Sequence, residues 1–369
     1  MASPTVCVCV PVWQGARFVA ETLSSILSQR GVELIVRISV DGADAESADV
    51  CSKFISDGRC ELTVQPERLG WVSNISWLLE RAEGDYVCIQ PHDDLITEDY
   101  LSSLLRVAES APAASVVYSD IDLFGEGEGK ITQPSVTGSP LARQLVLLLD
   151  HWSAVAFRGL TRLRAVREAG PLSGSPFRKF AADTVWMAQL AKTGELHRVP
   201  LPLYRKRLYP DSTHRAWFRW TREEKLSAWG QHCADMLTEA LAVHDLDASK
   251  RVMLARAALV RSVSAMAFSR DGPFSDSERR QMALTFVDAA KENPIIRLDQ
   301  IFGEFGNLAV DDIIVQRSYP SERRELMRAV LRLRAIESST TWRVARRCSK
   351  AVSKVPFLTA AARRLFNQP

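Results

Sequence analysis

Residues 86–100 read YVCIQPHDDLITEDY. A short run with strand character, Tyr86, Val87, Cys88 and Ile89, breaks at Pro91 into His92, Asp93 and Asp94, and a helical pattern, TEDYLSSLLRVAES, follows. A strand that ends on a polar turn and feeds a helix is the repeating half of an α/β fold. The same unit recurs on both sides. TVCVCVPV precedes GARFVAETLSSILSQ, in which Phe18, Leu23, Ile26 and Leu27 keep helical spacing; ELIVRISVDG precedes SADVCSKFISD; CELTVQP precedes WVSNISWLLERA; ASVVYSDIDLF closes the series. Alternation over roughly 120 residues predicts an α/β domain with a mostly parallel central sheet and helices on both faces. Ligands of such sheets bind beyond the carboxyl ends of the strands. Pro11-Val12-Trp13, Asp41-Gly42, Gln65 to Gly70 and His92-Asp93-Asp94 stand at those ends and should share one edge.

The bulk numbers narrow the classes. The chain has 369 residues, 46% of them hydrophobic, and a net charge of +3 with a pI near 8.5. Nothing there marks a nucleic-acid binder. Its seven cysteines are scattered, and Cys7 and Cys9 alternate along a strand, so reduced thiols of a cytoplasmic protein are expected rather than disulfides or zinc. The N-terminal apolar run reads as a strand, not a signal segment, and LARQLVLLLD is too short to span a membrane. GEGEGKITQPSVTGSP reads as a mobile loop. Beyond about residue 215 strand patterns stop, and EEKLSAWGQHCADMLTEALAVH, ASKRVMLARAALVRSVSAMAF and DSERRQMALTFVDAAKE are helical. The expected organisation is an α/β domain over 1–215, a helical domain over 216–320 and a basic helical tail over 321–369.

Taken singly, the polar groups are ambiguous. Asp93 and Asp94 suit a hard divalent cation, which takes one or two carboxylates and completes its shell with phosphate and water. Equally, acids after a strand cap the next helix, although Thr97 and Glu98 should already supply that cap. Asp41-Gly42 is a ligand contact or a turn. Asp183 opens a helix, as a cap or as a general base. Arg205-Lys206-Arg207, near Tyr204, Ser212 and His214, is a diphosphate site or a solvated face.

Order and spacing together decide. PVWQGARFVAETLSSILSQ, SVDGADAES, ERLGWVSNISWLLERAEGDYVCIQPHDD, AADTVWMAQLAKTGELHRVP and LYRKRLYPDSTH follow one another in the chain. This series resembles the family 2 glycosyltransferases of the GT-A fold, whose pattern runs PxYN, DDGSxD, NxGxxxxxN, a DxDD element, an ED acid and a YRxHxxS ending. The resemblance covers residues 5 to about 215. It implies a nucleotide-sugar-binding half over 1–120 and an acceptor and catalytic half over 121–215. It places Asp94 as the acid that holds Mn²⁺ or Mg²⁺, with Asp93 and His92 near ribose and metal. Pro11, Val12, Trp13 and Asp41 fall beside the base and ribose, and Arg68, Gly70 and Asn74 fall on the donor element. Asp183 matches the catalytic base of inverting members. Arg205, Arg207 and His214 match the segment that closes over the diphosphate.

The implied reaction is a single displacement on a nucleotide-diphosphate sugar, UDP-sugars favoured, by a hydroxyl of a glycan or lipid-linked acceptor. Bacterial polysaccharide, lipopolysaccharide or capsule assembly is the implied setting. The chain departs from the pattern at His92, Val40, Trp13-Gln14 and Ala182, where acid, acid, Tyr-Asn and Glu are usual. Two rivals compete: a non-catalytic, GT-A-like binding or scaffold subunit, and a sugar-phosphate nucleotidyltransferase, whose Gly-rich basic loop PVWQGARF does not provide. In the tail, basic residues outnumber acids, and Leu326, Val330, Leu333 and Ile336 keep helical spacing. Such a helix suits an anionic membrane surface, and so a peripheral location on the inner face of the cell membrane. A solvated face or a homo-oligomer contact reads equally well. AIESSTTWRVARR also resembles a segment at the ends of bacterial polysaccharide glycosyltransferases.

Overall fold

The computed structural model describes residues 3–150, 154–172, 179–210, 217–264, 267–268, 274–293, 296 and 319–338. The strands are β1 (Thr5–Val12), β2 (Glu33–Val40), β3 (Cys60–Val64), β4 (Tyr86–Ile89), β5 (Leu95–Ile96), β6 (Ala114–Gly125), β7 (Gly129–Ile131), β8 (Leu160–Arg162) and β9 (Glu195–Leu208). The helices are α1 (Val19–Leu27), α2 (Ala45–Ser52), α3 (Trp71–Arg81), α4 (Tyr100–Ser110), α5 (Pro140–Asp150), α6 (Leu163–Ala169), α7 (Ala182–Thr193), α8 (Arg222–Leu241), α9 (Ala248–Ser264), α10 (Asp276–Glu292) and α11 (Tyr319–Ser338).

The first half is what the alternation dictates. β3, β2, β1 and β4 pair in parallel, with Val8 opposite Val36 on one side and Cys88 on the other. Val6 to Val10 are fully buried, as a strand covered on both faces must be. Beyond β4 the sheet is mixed rather than mostly parallel. β8 runs antiparallel between β4 and β6, β9 pairs parallel to β6, and β5 closes the far edge antiparallel to β9. β5, β7 and β8 are two or three residues long, too short to show a period. β9 breaks register with β6 between Ser119 and Ile121, opposite the stretch holding Pro200 and Pro202. Proline cannot donate to the ladder, so the strand bulges there.

Two local expectations give way to packing. Thr97 and Glu98 do not cap α4. Its N-cap residue is Asp99, which makes no side-chain capping bond, and the Leu101 N–H donates to Gln29 Oε1 at 2.9 Å. The first turn is satisfied by a neighbouring chain segment instead of its own. The stretch over 125–140 is not a loose loop either: β7 pairs with β6, Val136 is bridged to Leu196, and the Tyr118 hydroxyl donates to the Pro134 carbonyl at 2.8 Å.

The helical region shares one hydrophobic core with the α/β part, running from Val6 to Val330. α5 is apolar on almost every face because α7, α9 and α11 cover it. Arginines finish three junctions. Arg261 donates to the Leu147 and Leu148 carbonyls at the end of α5, Arg323 to that of Leu149, and Arg143 to the Ala191 and Lys192 carbonyls at the end of α7. Last-turn carbonyls have no helical partner and carry the negative end of the dipole. The basic run at Arg162 and Arg167 is spent in the same way on the ends of α4 and α3.

In the tail, Leu326 and Val330 of α11 are buried against the body and Leu333 is partly buried, whereas Leu331 and Ile336 stay exposed. The rest of the tail lies outside the described residues. No helix among them is long and apolar enough to cross a membrane. The six described cysteines are buried free thiols, and burial pushes those of Cys51, Cys88 and Cys233 up to about 12.

Candidate active site

The carboxyl edge of β1, β2 and β4 is tied together by its own turns. After β1 the Gln14 N–H donates to Asp44 Oδ2 at 2.6 Å and the Gly15 N–H to Ser47 Oγ at 2.9 Å. His92 Nδ1 lies 3.2 Å from the Pro11 carbonyl, so it donates there as the Nδ1–H tautomer. Its ring fills the space over Gly15, where a Cβ would stand 2.6 Å from His92 Cδ2. Asp41 accepts from the Leu69 N–H at 2.6 Å and the Gly70 N–H at 3.0 Å, which shapes the turn before α3. Gly42, at φ +77°, lets the Arg68 backbone approach within 3.0 Å of its absent Cβ. The Arg68 guanidinium then stacks over the Trp13 ring at 4.1 Å. The result is a cleft wall of Trp13 and Arg68 beside the Asp93 turn.

Two expected donor contacts are elsewhere. Val12 points into the core. Asn74 is buried, accepting from Ser39 Oγ at 2.6 Å and donating to the Ser39 carbonyl at 3.1 Å, which fastens α3 to β2. A side chain with both ends spent in the core has nothing left for a ligand.

Asp94 is 2% exposed. Its Oδ2 accepts from the Tyr204 hydroxyl at 2.8 Å and lies 3.3 Å from Arg158 Nε, while Oδ1 accepts the Arg207 N–H at 2.9 Å. Burial and the charge of Asp93 push its carboxyl upward, and Arg158 and Lys206 oppose them. Asp94 therefore staples the end of β4 to the 3₁₀ turn Val155–Arg158 and to β9. Asp93, one residue earlier, is half-buried and makes no ion pair with any described residue. The Tyr209 hydroxyl faces it, and burial together with that negative charge pushes the phenol up.

Across the cleft, the first turn of α7 presents Asp183. Its N-cap residue, Ala181, is left-handed, and Asp183 Oδ1 accepts from the Thr184 N–H at 2.9 Å. Burial raises this carboxyl, while Arg158 and Lys206 draw it back. Lys206 stands between the acids; burial and Arg158 lower its ammonium to about 8. Side chains alternate along a strand, so Tyr204 and Lys206 share the face toward Asp94, opposite Arg205 and Arg207. Arg205 is exposed and stacks on Phe124. Arg207 is pinned by the Asp93 carbonyl and Glu21, over Phe18 and Phe124. His214 lies outside the described residues. Sequence reasoning missed Arg158, which stands in no motif; strand alternation would have picked Lys206 over its neighbours.

A divalent cation fits one of the two adjacent acids. Asp94 does not suit it: both oxygens are used and a guanidinium lies against it. Asp93 suits it, as a carboxylate that carries the Tyr209 hydroxyl and no ion pair among the described residues, for an ion that takes its remaining ligands from phosphate and water. Among the described residues no three His, Cys, Asp or Glu side chains converge on an all-protein metal site.

A mixed sheet whose parallel strands end on polar turns at one edge, with an acid at a helix start among the same charged groups, is a GT-A-type arrangement. Residues 7–166 match glycosyl transferase family 2. Over that stretch, less than half of its length, the chain is similar to the family 2 glycosyltransferases. It is 23% identical over 128 residues to glycosyltransferase GlyG of Streptococcus pneumoniae serotype 4, a match covering 34% of this chain and 42% of that one. The chain thus spans less than half the length of that relative. S. aureus TarS 1-349 in complex with UDP-GlcNAc superposes with a TM-score of 0.61 at 14% identity, covering 91% of both chains. Mannosyltransferase PcManGT from Pyrobaculum calidifontis, in complex with GDP-Man and Mn²⁺, gives 0.51 at 15% identity, covering 92% of this chain and 89% of that one. At such identities the likeness is one of fold, and it extends into the helical region.

Proposed function

We propose that the chain transfers a sugar from a nucleoside-diphosphate sugar to an acceptor hydroxyl, with inversion. The observation that carries this reading is the carboxylate of Asp183, which shares the charges of Arg158 and Lys206 with Asp94 at the end of the β4 turn. Trp13 and Arg68 receive the base, whose flat face suits a ring and a guanidinium. Asp93 holds the divalent cation and Asp94 keeps the turn rigid. The cation, when bound, offsets negative charge on the diphosphate. Asp183 takes the proton from the attacking hydroxyl; a carboxyl raised by burial is a better base than an exposed one. One in-line attack at the anomeric carbon inverts it.

A glycan or lipid-linked acceptor in bacterial surface-polysaccharide assembly is the setting the motif series implies, and the basic composition of residues 339–369 suits an anionic membrane surface there. The deciding experiment is a transfer assay over a panel of nucleoside-diphosphate sugars, with and without Mn²⁺, beside a thermal-shift screen of the same compounds. Donor-dependent transfer that Asp183→Asn abolishes is expected. If no nucleoside diphosphate stabilises the protein, the reading falls.

A further inference from the structure

The amino edge of the sheet, opposite the Asp93 turn, holds an open cavity of about 540 Å³ where β4 begins and β8 ends. Ligands of a parallel sheet bind at the other edge, so this cavity is no part of the donor cleft. Its lining includes Asp85, Tyr86, Arg162, Arg164 and Arg167. Arg162 Nε donates to the Ala114 carbonyl at 2.8 Å, and Arg167 to those of Leu79 and Ala82 at 2.9 and 2.8 Å. A carbonyl satisfies an N–H but carries no full charge, and a helix end offsets roughly half of one. Arg164 is exposed, with a single long contact to the Pro112 carbonyl at 3.4 Å. None of the three pairs with a carboxylate among the described residues, whereas Arg37 and Arg59 in the same half of the sheet meet Glu61 and Asp57. Three guanidiniums thus stand against one acid in the lining. That acid, Asp85, accepts the Thr5 N–H on Oδ2 at 3.0 Å, and its Oδ1 takes no hydrogen bond from any described residue. Tyr86 is 4% exposed; its hydroxyl oxygen accepts from Arg162 Nη1 at 2.8 Å, and its own proton has no acceptor among the described residues. A buried donor left unused costs free energy that a bound acceptor recovers.

We propose that this cavity is a second ligand site, for a small phosphomonoester that carries hydroxyl groups, such as a sugar phosphate. The Arg164 and Arg167 guanidiniums supply charge-assisted donors to the phosphate, and the Tyr86 hydroxyl adds a neutral one. Arg162 takes no direct part: by donating to the Tyr86 oxygen it leaves the phenol only its proton to offer. Asp85 Oδ1 accepts a ligand hydroxyl, which favours a polyol phosphate over the bare ion. The volume suits a ligand of one sugar ring and one phosphate. The site stands on its own residues, and it holds whether or not the chain transfers sugars.

The test is calorimetric titration of glucose 1-phosphate, inorganic phosphate and glucose in EDTA, so that no divalent ion mediates the contact. Wild type is compared with Arg164→Gln, Tyr86→Phe and Asp85→Asn. Arg164 is exposed and holds no element, so its variant keeps the test alive if Tyr86→Phe fails to fold. Glucose 1-phosphate should bind wild type more tightly than inorganic phosphate does, and glucose should not bind. Arg164→Gln should weaken both phosphates about tenfold, and Tyr86→Phe a few-fold, as loss of a charged and a neutral donor requires. Asp85→Asn removes a like charge and should tighten inorganic phosphate about threefold, a gain that loss of packing does not produce. Glucose binding as well as glucose 1-phosphate, or no binding of either phosphate to wild type, overturns the proposal. So does phosphate affinity that Arg164→Gln leaves unchanged, which would assign the probes to the donor cleft.

Discussion

The two halves of the cleft are built on different principles. The half at β1, β2 and β4 is made of backbone: Asp41, Asp44 and Ser47 accept main-chain N–H groups, and the turns themselves shape the wall. The half at β8, β9 and α7 is made of buried charge: Asp94, Arg158, Lys206 and Asp183 act on one another over short distances. A backbone wall binds any ligand that fits its shape. A charge cluster responds to what is bound, because each group's state depends on the next.

The largest expected effect lies in the charged half. Asp183→Asn should lower kcat by about a thousandfold while donor affinity stays within about threefold, as removal of a general base requires. In wild type the acid limb of kcat/KM should lie above the ordinary aspartate range: the raised carboxyl is protonated, and unable to accept, as pH falls through its pKa. Steady-state assays across pH check both.

Next comes the contrast of adjacent acids. Asp94→Asn leaves Arg158 without its ionised partner and should cost about 3 kcal/mol in denaturant melts, as breaking a buried pair does. Asp93→Asn should leave the melt unchanged and remove the Mn²⁺-dependent part of donor stabilisation. The reverse pattern would exchange the roles of the two acids.

In the backbone half, Gly15→Ala drives a methyl into the His92 ring and should cost about 2 kcal/mol, with weaker donor binding. Smaller still, Gln29→Ala should cost about 1 kcal/mol by uncapping α4, measured by the same melts.

What was legible follows the same division. Periodicity located β1 to β4 with their helices, because long elements buried on known faces write their pattern into the chain. Asp41 and Gly70 were placed on one edge because strand ends must share it. Which of Asp93 and Asp94 turns inward was not legible, since a turn has no period. Arg158 was invisible for a related reason: it sits in a 3₁₀ turn before a three-residue strand, and the partners that give it meaning lie 64 and 25 residues away in sequence, at Asp94 and Asp183. Asn74 looked like a ligand contact because sequence shows polarity but not which hydrogen bonds have already been made.

The arginines at the ends of α5 and α7 carry a consequence for how the protein responds to its medium. Arg261 and Arg143 face peptide dipoles in the interior, whereas Arg323 pairs partly with the carboxylate of Asp150 nearer the surface. Mobile ions screen exposed charge pairs far more than buried ones. Concentrated salt should therefore loosen α11 at its Asp150 contact first, while the seam between the helical region and the sheet holds, so that the molecule frays from α11 instead of dividing into two.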